Sequence, residues 1–122
     1  LETDLAKILQ AIYSQTLAQV KVRWSEDSSV GVVMASQGYP GPYATGFPIS
    51  GLGSLEEGVV AFHAGTGQAS NLWLTSGGRV ITVVARGQDM AAAREKVYRN
   101  VSRLHFQGAH YRKDIAAREV VA

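Results

Sequence analysis

The spacing of apolar residues changes once along this chain, and that change restricts the folds available to it. Between residues 30 and 85 the apolar residues form short runs separated by glycine, proline and serine, a pattern typical of strands joined by turns. After Asp89 they recur at helical spacing, at Met90, Ala93, Val97, Val101 and Leu104. Together the two patterns predict an α+β fold: a small, mostly antiparallel sheet or open barrel flanked by helices.

The predicted sheet is built from five short runs. They are Val30–Ala35, Phe47–Leu52, Val59–His63, Leu72–Thr75 and Arg79–Ala85. We expect the first run to be a central strand, because it is apolar and rich in β-branched residues. We expect the last two to pair as a hairpin, because the intervening Ser76-Gly77-Gly78 favours a tight turn.

Helices are predicted on both sides of this region. A first helix is expected at roughly residues 3–18, where apolar residues at helical spacing follow Asp4. The second is expected to begin at Asp89, whose side chain suits a helix N-cap. The tail from Phe106 to Val121 fits either a strand or a helix.

Length and composition narrow the class of protein. The chain has 122 residues, of which 46% are hydrophobic, so we expect a single domain. It contains no cysteine, which excludes disulfides and thiolate metal clusters and favours a cytoplasmic location. No apolar run approaches the roughly 20 residues that cross a bilayer, so no membrane partner is expected. Because the chain starts at Leu1 and a helical pattern follows at once, we expect it to be part of a longer protein.

Charge is distributed unevenly along the chain. Residues 1–78 carry a net charge of −3 and residues 79–122 a net charge of +5. The basic part suits an anionic partner. The alternative, which we favour, is that most of its cations lie on the solvated face of the second helix, at Arg94, Lys96, Arg99 and Arg103.

Most motifs that carry chemistry are missing from the sequence. No serine lies in a Gly-x-Ser-x-Gly turn, and there is no glycine-rich phosphate loop of either common type. The three histidines, His63, His105 and His110, have no zinc-ligand spacing. Glu56 and Glu57 are neighbours in a predicted loop, where carboxylates are usually solvated. We therefore assign no catalytic residue and no metal ligand.

Two glycine-containing segments are candidate binding elements. In Gly77-Gly78-Arg79, two backbone N–H groups beside a guanidinium suit a phosphate or a carboxylate, although a plain hairpin turn explains the same residues. His63-Ala64-Gly65-Thr66 places polar side chains and a glycine at the end of a predicted strand, and ordinary turn chemistry explains it equally well.

Four segments, taken in order, resemble the C-terminal domain of the phosphoribosylamine–glycine ligase family. They are Ala35-Ser36-Gln37-Gly38-Tyr39-Pro40-Gly41, Phe62-His63-Ala64-Gly65-Thr66, Gly77-Gly78-Arg79-Val80 and Tyr111-Arg112-Lys113-Asp114-Ile115. The opening helix also resembles the segment that joins the ATP-grasp body of that enzyme to its last domain. The resemblance implies that residues 1–29 are a linking helix and hinge, and that residues 30–122 are the C-terminal domain, similar to that of biotin carboxylase-like ATP-grasp enzymes.

The resemblance also implies an activity for the parent enzyme. Enzymes of this family use ATP with magnesium or manganese to join glycine to 5-phosphoribosylamine through a glycyl phosphate, a step of purine biosynthesis. The ATP-grasp segments are absent from this chain, so we expect it to hold no cofactor and to be inactive alone. The expected partners are the missing N-terminal and ATP-grasp domains and small-molecule substrates, with no nucleic acid.

Within that resemblance, eleven residues are expected to face a substrate cleft. They are Ser36, Gly38, Tyr39, Pro40, Gly41, His63, Gly65, Thr66, Gly77, Gly78 and Arg79. We expect Arg79, with the N–H groups of Gly77 and Gly78, to bind a phosphate or carboxylate. The same segments also fit an interface with the missing domains, since tyrosines suit contacts that are partly apolar and partly wet. Gln37 stands where the family pattern has lysine, and Ala116 where it has glycine.

Two other functions remain open on the sequence alone. One is the C-terminal domain of a different ATP-grasp ligase. The other is a stand-alone basic module that binds RNA or DNA through residues 79–118. The nucleic-acid function is disfavoured because the aromatic residues cluster in a Pro/Gly loop instead of alternating along a strand.

Overall fold

The computed structural model describes residues 1–120 and has the predicted α+β fold. Its elements are the helices α1 (Leu5–Tyr13) and α2 (Met90–Val101) and the strands β1 (Ser28–Ala35), β2 (Val60–His63), β3 (Thr66–Ala69), β4 (Leu72–Thr75) and β5 (Arg79–Gly87). Short 3₁₀ turns occur at Leu17–Gln19, Leu52–Ser54 and Arg118–Val120. The strands form two antiparallel sheets, one in the order β1-β5-β2 and one of β3 with β4.

The core lies between the three-stranded sheet and α2. Val32 of β1 pairs with Val83 of β5, and both are fully buried. Val97 and Val101 of α2 are equally buried in the same cluster. The central strand is β5, which pairs with a strand on each side, so the prediction that residues 30–35 form a central strand is wrong. A nine-residue apolar strand is long enough to serve both neighbours, whereas β1 has only β5 as a full partner.

Both predicted helix starts are confirmed. The Asp4 carboxylate accepts hydrogen bonds from the N–H groups of Ala6 and Lys7, and the Asp89 carboxylate accepts one from Ala92. These contacts satisfy N–H groups that have no partner inside a helix. Among the helices of residues 1–120, none has the length and apolar character needed to cross a membrane.

The predicted hairpin of residues 72–75 with 79–85 is wrong. Strand β4 pairs with β3 through a two-residue turn at Ser70 and Asn71, which have φ of +47° and +66°. Positive φ at both central residues matches the twist of paired strands, and asparagine tolerates it well. The Ser76-Gly77-Gly78 segment instead connects the two sheets.

Residues 47–52 do not form the predicted strand. Pro48 and Ser50 make only single bridges, to Leu74 and His105. Proline has no N–H to donate to a ladder, so the segment stays extended without pairing fully. The tail likewise contains only a bridge from His110 to Ala35 and the 3₁₀ turn at residues 118–120, and Val121 lies outside the described residues.

The first helix is shorter than predicted and leaves its apolar side open. Leu5, Leu9 and Ile12 of α1 are each more than half exposed. The expectation that helices flank the sheet therefore holds for α2, which packs on β1 and β5. The apolar side chains of α1 find no such cover within residues 1–120.

Candidate functional site

An open groove of about 280 Å³ lies beside β1. Its floor is apolar and includes Gly31, Val33 and Ala35 of that strand. Its rim carries two tyrosines and two arginines, at Tyr39, Arg79, Tyr111 and Arg112. An apolar floor with a few charged groups at the edge is the usual composition of a small-molecule site.

Ser36 fixes the loop after β1 onto the Gly77-Gly78 segment. Its side chain is buried, and its hydroxyl donates a hydrogen bond to the Gly77 carbonyl at 2.9 Å. Its own N–H donates to the Gly78 carbonyl at 2.8 Å, and its carbonyl accepts from the N–H of Tyr39 at 3.1 Å. The two segments are therefore held together by both backbone and side chain.

Glycine is required where these segments touch. A Cβ on Gly78 would lie 2.7 Å from Cε2 of Tyr39, so the Tyr39 ring packs directly on the Gly78 backbone. A Cβ on Gly65 would lie 2.7 Å from Cα of Gly77. The Gly65 N–H donates to the Arg79 carbonyl at 2.8 Å. Three of the four resembling segments thus meet at a point where side chains would not fit.

The loop between Ser36 and Tyr43 turns Tyr39 towards the groove. Gly38 has a φ of +94°, and a Cβ there would overlap the Pro42 carbonyl, so glycine is needed at this turn. The Tyr39–Pro40 peptide bond is cis. Pro40 and Gly41 are exposed and do not line the groove.

Arg79 lies exposed at the start of β5, across the sheet from Ala35. Within residues 1–120, no carboxylate lies within ion-pair distance of its guanidinium. In the same part of the chain, the N–H groups of Gly77 and Gly78 have no hydrogen-bond acceptor. Arg79 lines the groove, whereas Gly77 and Gly78 do not, and the Gly78 backbone is buried under the Tyr39 ring. Of the donors from which an anion site was predicted, the Arg79 guanidinium is the one that lies exposed at the groove.

The structure separates His63 and Thr66 from these donors. The two side chains hydrogen bond to each other, with 3.0 Å between Nδ1 and Oγ1, and the His63 ring packs on Trp73 with ring centroids 4.2 Å apart. His63 ends β2, on the far side of β5 from β1, and Thr66 begins β3. Neither residue lines the groove. Of the segment from His63 to Thr66, Gly65 is the residue that reaches the Arg79 backbone.

Comparison with known proteins identifies the family. The family described as "Phosphoribosylglycinamide synthetase, C domain" matches residues 29–118. The chain belongs to this family. A phosphoribosylamine–glycine ligase of Caldanaerobacter subterraneus is 44% identical over 117 residues, which are 96% of this chain and 28% of the relative. The trifunctional purine biosynthetic protein adenosine-3 of Gallus gallus is 42% identical over 122 residues, covering 98% of this chain and 12% of that protein.

A solved structure supports the same assignment. The crystal structure of phosphoribosylamine–glycine ligase from Thermotoga maritima matches with a TM-score of 0.65 at 36% identity. The match covers 72% of this chain and 22% of that one. The chain therefore corresponds to the C domain of much longer relatives and spans about a quarter of the ligases themselves.

The cations on the outer face of α2 in this C domain are partly exposed, as expected, but they also hold loops in place, which we did not expect. Arg94 donates from Nε to the Ile115 carbonyl and from Nη2 to the Lys113 carbonyl, both at 2.9 Å. The Tyr98 hydroxyl donates to the Arg112 carbonyl at 2.7 Å and accepts from the Ile115 N–H at 3.0 Å. These side chains fix the tail along the groove, and helical spacing alone gives no sign of their targets.

Further cations, on α2 and just after its end, fix a second loop. Arg99 donates from Nε to Glu56 at 2.9 Å, and Arg103 donates to the same carboxylate at 2.7 Å. The hydrogen bond from Arg99 holds the pKa of the Glu56 carboxyl below its usual value. Lys96 donates to the Glu57 carbonyl at 3.0 Å. Glu56 is thus part of a structural ion-pair cluster and not a solvated loop carboxylate.

The two departures from the family pattern lie at distinct places. Gln37 is exposed and lies against Gly108. Ala116 follows the groove segment and has a φ of +57°, a conformation that favours glycine. The glycine that the family pattern has at this position therefore has a conformational explanation.

Proposed function

We propose that this chain is the C domain of a phosphoribosylamine–glycine ligase and that its groove faces a substrate of that enzyme. The parent enzyme would join glycine to 5-phosphoribosylamine with ATP in purine biosynthesis. The observation that carries the proposal is Arg79: an exposed guanidinium, without a carboxylate partner in residues 1–120, on the rim of an apolar groove.

The Arg79 guanidinium suits an oxyanion, because it binds two oxygens of a phosphate or carboxylate at once. Ser36 holds the Gly77 and Gly78 carbonyls, which fixes the orientation of this segment before a ligand arrives. Donors that need no rearrangement lower the cost of binding and orienting a substrate.

The sheet face beside the groove supports docking of the rest of the parent protein. Val33, Val60 and Phe62 lie on the face of the three-stranded sheet opposite to α2 and are 41–57% exposed. Exposed apolar patches of this kind usually mark an interface. In the proposed enzyme, this face packs on the ATP-grasp body, residues 1–29 link to that body, and the groove lies at the edge of the interface.

The nucleotide and metal of the proposed enzyme belong to the rest of the parent chain. The ATP-grasp segments that the resemblance assigns to that enzyme lie outside this sequence, so in the proposed enzyme they hold ATP with magnesium or manganese, and this domain alone does not ligate glycine. A nucleic-acid-binding module has less support, because Arg94 and Arg99 of α2 and the nearby Arg103 bind protein groups instead of forming a free basic surface.

The test is Arg79→Ala in the intact ligase that contains this domain. We expect the KM for phosphoribosylamine or for glycine to rise about tenfold to a hundredfold, the usual effect of losing a hydrogen bond to a charged group. Arg86→Ala is the matched control, since Arg86 lies at the other end of β5 and its side chain is 66% exposed. Unchanged KM values for both substrates in Arg79→Ala would contradict the proposal.

A further inference from the structure

The segment that carries Arg112 is fixed at both ends although it has no regular secondary structure. His110 exchanges two backbone hydrogen bonds with Ala35 at 2.9 and 3.0 Å, which ties the start of the segment to β1. Two residues later, the Arg112 carbonyl is held by the Tyr98 hydroxyl of α2. Arg112 therefore projects from a backbone whose position is set by the sheet and by the helix.

Asp114 holds one edge of the Arg112 guanidinium. The carboxylate accepts from Nε at 2.9 Å and from Nη2 at 2.6 Å, a bidentate pair. A guanidinium has five N–H donors, and this pairing uses two of them. Within residues 1–120, Nη1 of Arg112 has no hydrogen-bond acceptor, and the side chain is 72% exposed.

An exposed ion pair of this kind adds little to stability. Pairs between solvent-exposed side chains usually contribute less than about 1 kcal/mol, because water screens them and ordering two side chains costs entropy. What the pair does is to reduce the number of orientations open to the guanidinium. A bidentate contact on one edge leaves the opposite edge, formed by Nη1 and the second proton of Nη2, in a defined direction.

Arg112 lines the same groove as Arg79. Ala35 lies between the two, since it pairs with Arg79 on one side and with His110 on the other. Neighbouring strands lie about 4.8 Å apart, so the backbones of Arg79 and His110 are roughly 10 Å apart. Both arginine side chains line the same groove, and each is long enough to reach across part of that distance.

We propose that Arg112 is a second oxyanion-binding residue of the groove and that Asp114 is a positioning residue for it. The ligand group is a phosphate or a carboxylate, which share the paired oxygens that a guanidinium binds. This inference rests on the proposed function, because it assigns a second contact to the same substrate-facing groove. Arg118, four residues after Asp114, offsets part of its negative charge.

The test compares charge-conserving variants in the intact ligase. Arg112→Lys keeps the charge but removes the bidentate edge, so we expect the KM for one substrate to rise about tenfold to a hundredfold with kcat little changed. A rise in the KM for phosphoribosylamine identifies the phosphate as the ligand group, and a rise in the KM for glycine identifies the carboxylate. Arg86→Lys makes the same change outside the groove and should leave both values unaltered.

Asp114 is tested by Asp114→Asn together with Asp114→Glu. If Asp114 positions Arg112, Asp114→Asn raises the same KM as Arg112→Lys, Asp114→Glu restores part of it, and the thermal midpoint stays within about 2 °C because the pair is exposed. If Asp114→Asn raises the KM only while it also lowers the thermal midpoint, Asp114 has a structural role and the positioning role is wrong.

The outcome for Arg79 separates the two proposals. If Arg79→Ala raises a KM while Arg112→Lys raises neither, the proposed function stands and this inference fails. If Arg79→Ala raises neither KM, the proposed function itself fails.

Discussion

Gly78→Ala tests whether the loop after β1 packs on the Gly77-Gly78 segment as the structure has it. The new methyl group would overlap Cδ2 of Tyr39 and would lie 2.7 Å from its Cε2 and 3.0 Å from Cε1 of Tyr43, whereas ordinary contacts begin near 3.4 Å. Relief of the Cε2 contact alone requires 0.7 Å, so the Tyr39 ring must retreat by more than that. The ring also packs on Tyr43, with ring centroids 6.1 Å apart, so its retreat disturbs that contact as well.

The expected cost follows from two opposing effects. Overpacking of this kind costs about 1–3 kcal/mol. Replacing glycine with alanine also restricts the unfolded chain, which stabilises the folded state by about 0.4–1 kcal/mol where the backbone conformation allows it. We expect Gly78→Ala to lower the free energy of unfolding by about 1–2 kcal/mol, or roughly 4–8 °C in the thermal midpoint of a domain of this size.

Gly31→Ala is the matched control for this prediction. Gly31 also lies beside the groove, but a Cβ there meets Val84 and Thr82 side chains at 3.5 and 3.6 Å, which are ordinary contacts. It should therefore leave stability unchanged or raise it by up to about 1 kcal/mol. Urea unfolding followed by far-UV circular dichroism measures both variants. If Gly78→Ala is as stable as Gly31→Ala, the packing of Tyr39 on Gly78 is not as described.

Three further predictions concern the loops that α2 holds in place. Asn100→Ala should cost about 2–4 kcal/mol in urea unfolding, because the fully buried Asn100 amide bonds the Glu56 N–H and the Lys96 carbonyl; a cost below about 1 kcal/mol would contradict this. Folding lowers the pKa of the Glu56 carboxyl, so its contribution to stability is present above its ordinary value of 4.5 and is lost as the pH falls through the folded pKa. The thermal midpoint of Glu56→Gln, measured from pH 3 to 7, should therefore fall less steeply with acidification than that of the unaltered protein. Ala116→Gly should raise the free energy of unfolding by about 0.5–1 kcal/mol, because it removes the strain of a left-handed alanine, and a lower urea midpoint would refute that explanation.

The sequence predicted correctly those features that depend only on neighbouring residues, such as the helix starts. Asp4 and Asp89 start the two helices because a carboxylate suits the first free N–H groups, and that preference is readable from one residue. The hairpin prediction failed where two local signals competed. Gly77-Gly78 is the stronger turn sequence, but the pairing partner of β4 is set by the Ser70-Asn71 turn and by contacts with residues distant in sequence.

The sequence indicated which segments come together near the groove, but not how their side chains are arranged. The glycines at 65, 77 and 78 indicated close backbone approach, and the structure shows which backbones meet there. The partners of Arg94 and Tyr98 were not predictable, because the tail that they hold has no periodic pattern of its own. His63 and Thr66 belong to the same resembling segment as Gly65, yet the fold packs the His63 ring on Trp73 and bonds Thr66 to His63, away from the groove.

The Tyr98 hydroxyl has a consequence for how the domain responds to change. It bonds two backbone groups of the tail while its helix supplies Val97 and Val101 to the core. A ligand at the groove that binds only this ordered tail therefore stabilises the whole domain, by about 2.7 kcal/mol when its concentration is a hundred times its dissociation constant. By reciprocity, a core substitution that loosens α2 weakens the binding of that ligand, even though the substituted residue touches nothing in the groove. The affinity for such a ligand and the melting temperature of the domain should consequently change together across variants of α2, because both depend on the same equilibrium between the ordered and the loosened domain.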